Sequence, residues 1–585
     1  MLHRTPSFLN VRALRVAALA LAALALATPP AAAQSGSAAE RFKALYTREW
    51  KWRVSEGSGL DDDTGPTGVR DRFPKVDAAT QAQRLAYWRQ VQEELRSIPV
   101  AGLQAEDRVN YAIYKAQIDA LEASARFRDY EKPFNSDSSF WADAGGVARV
   151  PRRTAEDYRA YLRLLADLPR YFGEQIVNMR AGLARGFSVP RVTLAGRDLS
   201  IAAVADAKDA VKNPFYAPFR SMPDAIPEAE QAALRAEGAS AVTKSVIPAY
   251  ESLLTFFRSE YMKQAREALD ATSYPDGAAY YRSKIREFTT LDLSPDEIHN
   301  IGLQETAKIR AQMEATIKET DFKGDFASFL TFLRTDPRFY AKSKEELLMR
   351  AAWIAKRVDG KLDTMFGWLP RARFTIVPVP DEIAPFYTSG RGGPGVYLVN
   401  TYNLQARPLY NLPALTLHES APGHAMQMSL AAEHKDQPEF RQQVYISAYG
   451  EGWALYTEKL GVPMGLYDTP YDRFGMLTYQ MWRAARLVVD TGIHAKGWSR
   501  DRALAFLRDN TALAEHEITT EIDRYIAWPG QALSYYLGQM QIEKSRAEAE
   551  KALGAKFDLR AFHDTVLSLG SVTLPELSAR IDRFI

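Results

Sequence analysis

The chain has 585 residues, 46% of them hydrophobic and 25% charged, an ordinary globular balance that excludes a disordered or fibrous protein. Its 74 Lys and Arg nearly cancel its 72 Asp and Glu, so it lacks the basic field that a phosphate backbone demands, and nucleic acid is excluded as its main partner. It contains no Cys, which excludes disulfides, thiolate ligands and a lipid anchor on a Cys after a leader. A chain of this length buries a core without a metal staple, so any bound metal should serve chemistry rather than folding.

Residues 1–33 read as a signal peptide. His3, Arg4, Arg12 and Arg15 precede an Ala/Leu-rich run too short for a stable span, and Ala31-Ala32-Ala33 fits a small-x-small cleavage site. Cleavage removes three Arg and no acid, taking the formal charge from +2 to −1. The expected product is exported to the periplasm and keeps no stable membrane anchor.

The rest reads as helix after helix, hence a mainly α fold: a large helical architecture with a central cleft. Residues 78–97, 106–125, 154–184 and 226–270 have helical patterning. Gly57–Pro74 and Glu131–Arg153 read as surface loops. Ser294-Pro295-Asp296-Glu297 is a helix start with a capping box, followed by Ile309, Met313 and Ile317 at four-residue spacing. Strand composition occurs only at Phe374–Val379 and Gly395–Asn400. The Gly-rich run between them leads into a strand rather than a helix, so it reads as a hairpin-like connection, not a phosphate cradle. These features divide the chain into an N-terminal helical region, 34–370, and a C-terminal one, 371–585, that carries the candidate site.

That site begins at His418-Glu419-Ser420-Ala421-Pro422-Gly423-His424. A hydrolytic zinc site needs nitrogen and oxygen ligands, an open position for water and a carboxylate beside it as general base. Two His and a Glu supply all but a third ligand. The His are six residues apart, which on a regular helix turns them roughly 120° away from each other. Pro422-Gly423 lies between them and can break the helix so that they converge. Downstream, Glu451 and Glu458 lie seven apart on one predicted helix face; one could bind metal while the other orients a ligating His. Farther on, Tyr535 and Tyr536 are candidate hydroxyl donors to a tetrahedral oxyanion, and Arg524 is a candidate clamp for a substrate carboxylate. His516 is a further candidate for stabilising the intermediate. His299, His434, His494 and His563 read as structural or solvated.

Three motifs together resemble the bacterial domain-of-unknown-function 885 family: His418-Glu419…Pro422-Gly423-His424…Gln427, Glu451-Gly452-Trp453-Ala454-Leu455-Tyr456…Glu458, and Arg524-Tyr525…Pro529-Gly530-Gln531-Ala532…Ser534-Tyr535…Gly538. The resemblance covers nearly all of the chain after residue 33. It implies a large α-helical fold with a deep cleft and a metallopeptidase-like centre, with His418, His424 and Glu451 as ligands of one zinc ion and Glu419 as general base. Relatives often carry a His where this chain has Ala425. The expected activity is zinc-dependent cleavage of short peptides. The alternatives are a metal hydrolase acting on another amide or ester, and a non-catalytic helical periplasmic binding protein.

Overall fold

The computed structural model describes residues 36–57, 59–60, 70–136, 138–381 and 384–585. The expected leader and much of the Gly57–Pro74 loop lie outside these residues. The fold is mainly α. Its helices begin where the sequence offers caps: Ser37, Thr154, Ser294 and Thr469 each form a complete capping box, tying down backbone N–H groups that the first turn leaves without partners. The Pro295–Ile317 helix starts where expected, with Pro295 at its first position. Helices Ala78–Arg96, Ala105–Phe127 and Ala155–Ala184 match their predicted stretches. Residues 228–264 are helical, with π-type turns at Val242–Val246 and Phe257–Tyr261. No helix among the described residues is long and apolar enough to cross a membrane.

The expected loop over Glu131–Arg153 instead contains a helix, Phe140–Gly146. Ser139 caps it, and Phe140, Trp141 and Ala144 are buried, so docking onto a core compensates for its shortness.

Two hydrophobic cores organise the described residues. The smaller is built mostly from residues 134–265, with Leu164, Leu165, Leu168, Phe172 and Phe257 among its members. The larger joins residues 42–127 to residues 271–581, so N-terminal helices share one core with the C-terminal ones. A cavity of about 340 Å³ lies against both, with Tyr171 and Gln175 on one side and Lys284 and Trp528 on the other.

Among the described residues the strands form one three-stranded sheet of β1 (Thr375–Pro378), β2 (Gly390–Gly393) and β3 (Val396–Val399) in the order β1-β3-β2. β1 runs parallel to β3, and β2 pairs antiparallel with it, placing Gly392 opposite Tyr397. The Gly-rich run therefore supplies a strand as well as the turn; Gly395 adopts φ 77°, which favours glycine. β2 is an edge strand, and it packs on the two short helices that carry the His pair.

Candidate metal centre

The helix Leu412–Glu419 ends immediately after His418, and a second helix, His424–Ala431, begins at the other His. The break falls at Ser420–Gly423, as Pro422-Gly423 predicts. Gly423 is required there because a Cβ on it would lie 1.9 Å from the carbonyl oxygen of His418. Carbonyls exposed by the break find donors on the helix Ser447–Leu460, called here the Glu451 helix. Trp453 Nε1 donates to the Pro422 carbonyl at 2.8 Å, and Thr457 Oγ1 to that of Leu417 at 3.1 Å. Such bonds offset the cost of burying unpaired backbone groups.

The two imidazoles, splayed in a regular helix, thus come together with ring centroids 5.0 Å apart. Both Nε2 atoms face one oxygen: Glu451 Oε2 is 3.5 Å from His418 Nε2 and 3.3 Å from His424 Nε2. One ligand atom from each of the three residues lies within 4.8 Å of the other two. Ligands at tetrahedral positions about 2.1 Å from zinc are separated by about 3.4 Å. Both contacts to Glu451 Oε2 match that separation, and the three residues form a group that could hold a metal ion.

The remaining nitrogen of His418 is held from behind. Nδ1 donates to Glu458 Oε1 at 2.9 Å, and Glu458 is fully buried. Gln480 Nε2 donates to Glu458 Oε2 at 3.4 Å, and Arg483 lies 3.7 Å from Oε1. A carboxylate on the far nitrogen fixes the ring's orientation and directs Nε2 forward. The two glutamates of the Glu451 helix thus take different places, Glu451 at the cluster and Glu458 behind it.

Burial acts against a proton on His418, but its bonds to Glu451 and Glu458 and the charge of Glu419 outweigh it, lifting the pKa to about 9. Burial would raise Glu451, yet the charge on His424 and bonds from both His hold it well below the usual carboxylate range.

Glu419 does not join the three-residue set. Its carboxylate turns toward β2 and accepts the Gly392 N–H at 2.6 Å. A Cβ on Gly392 would meet the Glu419 carbonyl oxygen at 1.9 Å, so only glycine lets the strand approach this closely. Reading the sequence missed Gly392, Gln480 and Arg483. The signal available was a glycine-rich strand and polar residues within an otherwise apolar helix.

The third motif divides. Arg524 Nη2 donates to Gln531 Oε1 at 2.8 Å and to the Tyr535 hydroxyl at 3.2 Å, and its Nη1 lies 3.5 Å from Glu521. Tyr536 donates to Glu305 at 2.8 Å, on the Pro295–Ile317 helix. His516 is exposed on the first turn of Glu515–Ala527. Neither the hydrogen bond of Tyr536 nor that of His516 involves His418, His424 or Glu451. The other histidines take structural places: His299 bonds Thr491, His494 the Tyr525 carbonyl, and His563 bonds Tyr456 and the Met365 carbonyl, while His434 packs against Trp368.

Fold and cluster together describe a large, mainly α protein in which two buried His and a partly buried Glu form a group that could hold a metal ion. The chain belongs to the family described as "Bacterial protein of unknown function (DUF885)", which it matches over residues 57–581. It is similar to the crystal structure of a "putative lipoprotein" from Colwellia psychrerythraea, with 27% identity and a TM-score of 0.83 over 94% of this chain and 97% of that one. A "putative lipoprotein of unknown function" from Shewanella oneidensis shares the fold at 16% identity, with a TM-score of 0.68 over 93% and 99% of the two chains. No curated protein matches the sequence.

Proposed function

We propose that this protein is an exported, zinc-dependent hydrolase, a metallopeptidase that cleaves short peptides in the periplasm. The observation that carries the reading is the convergence of His418 Nε2, His424 Nε2 and Glu451 Oε2, with Glu458 bracing the first His and Glu419 beside the set without belonging to it. Three ligands and a carboxylate outside the ligand set are the parts of a hydrolytic zinc site with an open position. Export is supported by the leader-like residues 1–33 and by the lipoprotein names of the two solved relatives.

When bound, zinc would supply Lewis-acid polarisation of the scissile carbonyl and lower the pKa of a water. Glu419 would be the general base beside it, its Oε1 open to carry a proton to the leaving amine while Oε2 keeps the Gly392 N–H. Tyr535 donates to the oxygen on which charge develops. His418 and Glu419 are 2% and 8% exposed, a nearly closed centre that suits a narrow, short substrate.

The deciding experiment measures the zinc content of protein purified without added metal and again after loading. Hydrolysis of a short-peptide panel is then followed before and after chelation. About one zinc per chain and chelator-sensitive cleavage are expected. Absence of zinc in both preparations overturns the reading in favour of a binding protein, and cleavage confined to non-peptide amides or esters moves the substrate class.

A further inference from the structure

The Glu451 helix and the helix Ser534–Leu553 pack along a parallel seam. Ser447 Oγ meets Ser534 Oγ at 2.9 Å, a Cβ on Gly452 would lie 2.5 Å from Gly538 Cα, and Lys459 reaches Glu543 at 2.7 Å. Each residue of an α-helix turns about 100° from the last. Between parallel helices, the residue before a seam position on one and the residue after a seam position on the other turn to the same flank. Glu451 precedes Gly452 and Tyr535 follows Ser534, so both leave the seam on one side. Tyr536 continues round to the far side, where it meets Glu305.

Arginine has donors and no acceptor, so in the contact of Tyr535 with Arg524 Nη2 the phenol oxygen accepts. The one proton of the hydroxyl remains, and among the described residues no acceptor for it is found. Tyr535 is nonetheless 7% exposed and tightly framed: the Arg486 guanidinium lies 4.1 Å from its ring centroid and that of Arg524 6.0 Å. Arg524 is itself fixed by Gln531 and Glu521 and lies 5.6 Å from the Trp528 ring.

We propose that Arg524 is a positioning residue acting through Tyr535. It occupies the phenol's acceptor side and so directs the O–H toward the flank shared with Glu451, as the donor to the oxyanion, rather than clamping a substrate carboxylate. A charged donor on that oxygen also strengthens the O–H as a donor in turn. This role rests on the hydrolytic reading above; the hydrogen bond beneath it does not.

The test uses the zinc-loaded full chain and the variants Tyr535→Phe, Arg524→Met, Arg524→Lys and the Phe/Met double, each checked for native circular dichroism. Tyr535→Phe should lower kcat by about 10²–10³-fold, the usual effect of losing one oxyanion donor. Arg524→Met should also lower kcat with KM little changed, equally for a free-acid peptide and its C-terminal amide. The double variant should be no worse than Tyr535→Phe alone. With ¹³Cζ-labelled tyrosine, the Tyr535 resonance, assigned by its loss in Tyr535→Phe, should move in Arg524→Met and return partway in Arg524→Lys. A rise in KM confined to the free acid, with additive losses in the double variant, assigns Arg524 to substrate binding and overturns the proposal. An unmoved resonance overturns it as well, whatever the activity. A moved resonance in a protein that hydrolyses no peptide leaves the pairing intact and removes the hydrolytic reading.

Discussion

Two long helices in different cores show what separates scaffold from site. Ala155–Ala184, in the smaller core, buries Tyr158, Tyr161, Leu164, Leu165, Leu168, Phe172, Ile176 and Met179 along one stripe and leaves charged residues to solvent. Pro470–Lys496, in the larger core, is buried on every side from Phe474 to His494. It nevertheless carries Gln480, Arg483, Arg486, Asp490 and His494 inside. Burying a charge is costly unless it is paired, and each of these has a partner: Gln480 and Arg483 approach Glu458, Arg486 binds Glu521, Asp490 accepts from Tyr281, and His494 bonds the Tyr525 carbonyl. The first helix buries mainly apolar side chains, with the neutral Gln175 and Asn178 its buried polar groups. The second carries a polar interior that packing does not call for, and two of its members, Gln480 and Arg483, stand at the Glu458 that braces His418.

The comparison breaks most sharply at Glu419. Glu419→Gln should keep zinc and the fold, since a Gln oxygen can still accept from Gly392, while hydrolysis falls by about 10²–10⁴-fold. Zinc analysis beside steady-state kinetics checks it, and loss of metal with retained activity on reloading would reverse the role assigned to Glu419.

In the smaller core the effect should be stability alone. Leu168→Ala removes a fully buried side chain and should lower unfolding free energy by about 2–5 kcal/mol without changing zinc stoichiometry. Denaturant titration with metal analysis tests the separation; a drop in zinc content in the folded variant means that the two regions are coupled.

A finer probe is Glu458→Gln. It touches neither the proposed ligands nor the general base, yet it should weaken zinc affinity by about 10–100-fold, because His418 loses the carboxylate that orients it. Competition with a chelator of known affinity measures this, and an unchanged affinity would assign Glu458 to packing alone.

Acid should act on the larger core. Burial pushes the imidazoles of His494 and His563 down to pKa values of about 4, below the ordinary histidine value of 6.5. Between those values the unfolded chain binds more protons than the folded one. Their contribution to stability is therefore complete above about pH 6.5 and is lost as pH falls through about 4. Melting temperature should fall over that window, and His563→Gln should flatten the fall. A pH-independent melting temperature contradicts it. The smallest effect belongs to a surface cap: Ser294→Ala should cost about 1 kcal/mol and leave zinc affinity unchanged.

The sequence by itself determined what depends on neighbours along the chain. Helical periodicity and capping boxes announced the α fold, the helix start at Ser294 and the break at Pro422-Gly423, because capping and steric clash act within a turn. The His pair was legible for the same reason: the interruption between the two residues lies between them in sequence. Only the tertiary structure decided which glutamate goes where. Glu451 and Glu458 share a helix face, but two turns separate them by about 10 Å. One reaches the Nε2 side of His418 and the other its Nδ1 side, a choice made by where the Glu451 helix packs across the broken one. The places of Gly392, Arg524 and Tyr536 were hidden likewise. A contact between segments remote in sequence depends on how two elements cross to within an ångström or so, and neither segment records that crossing alone.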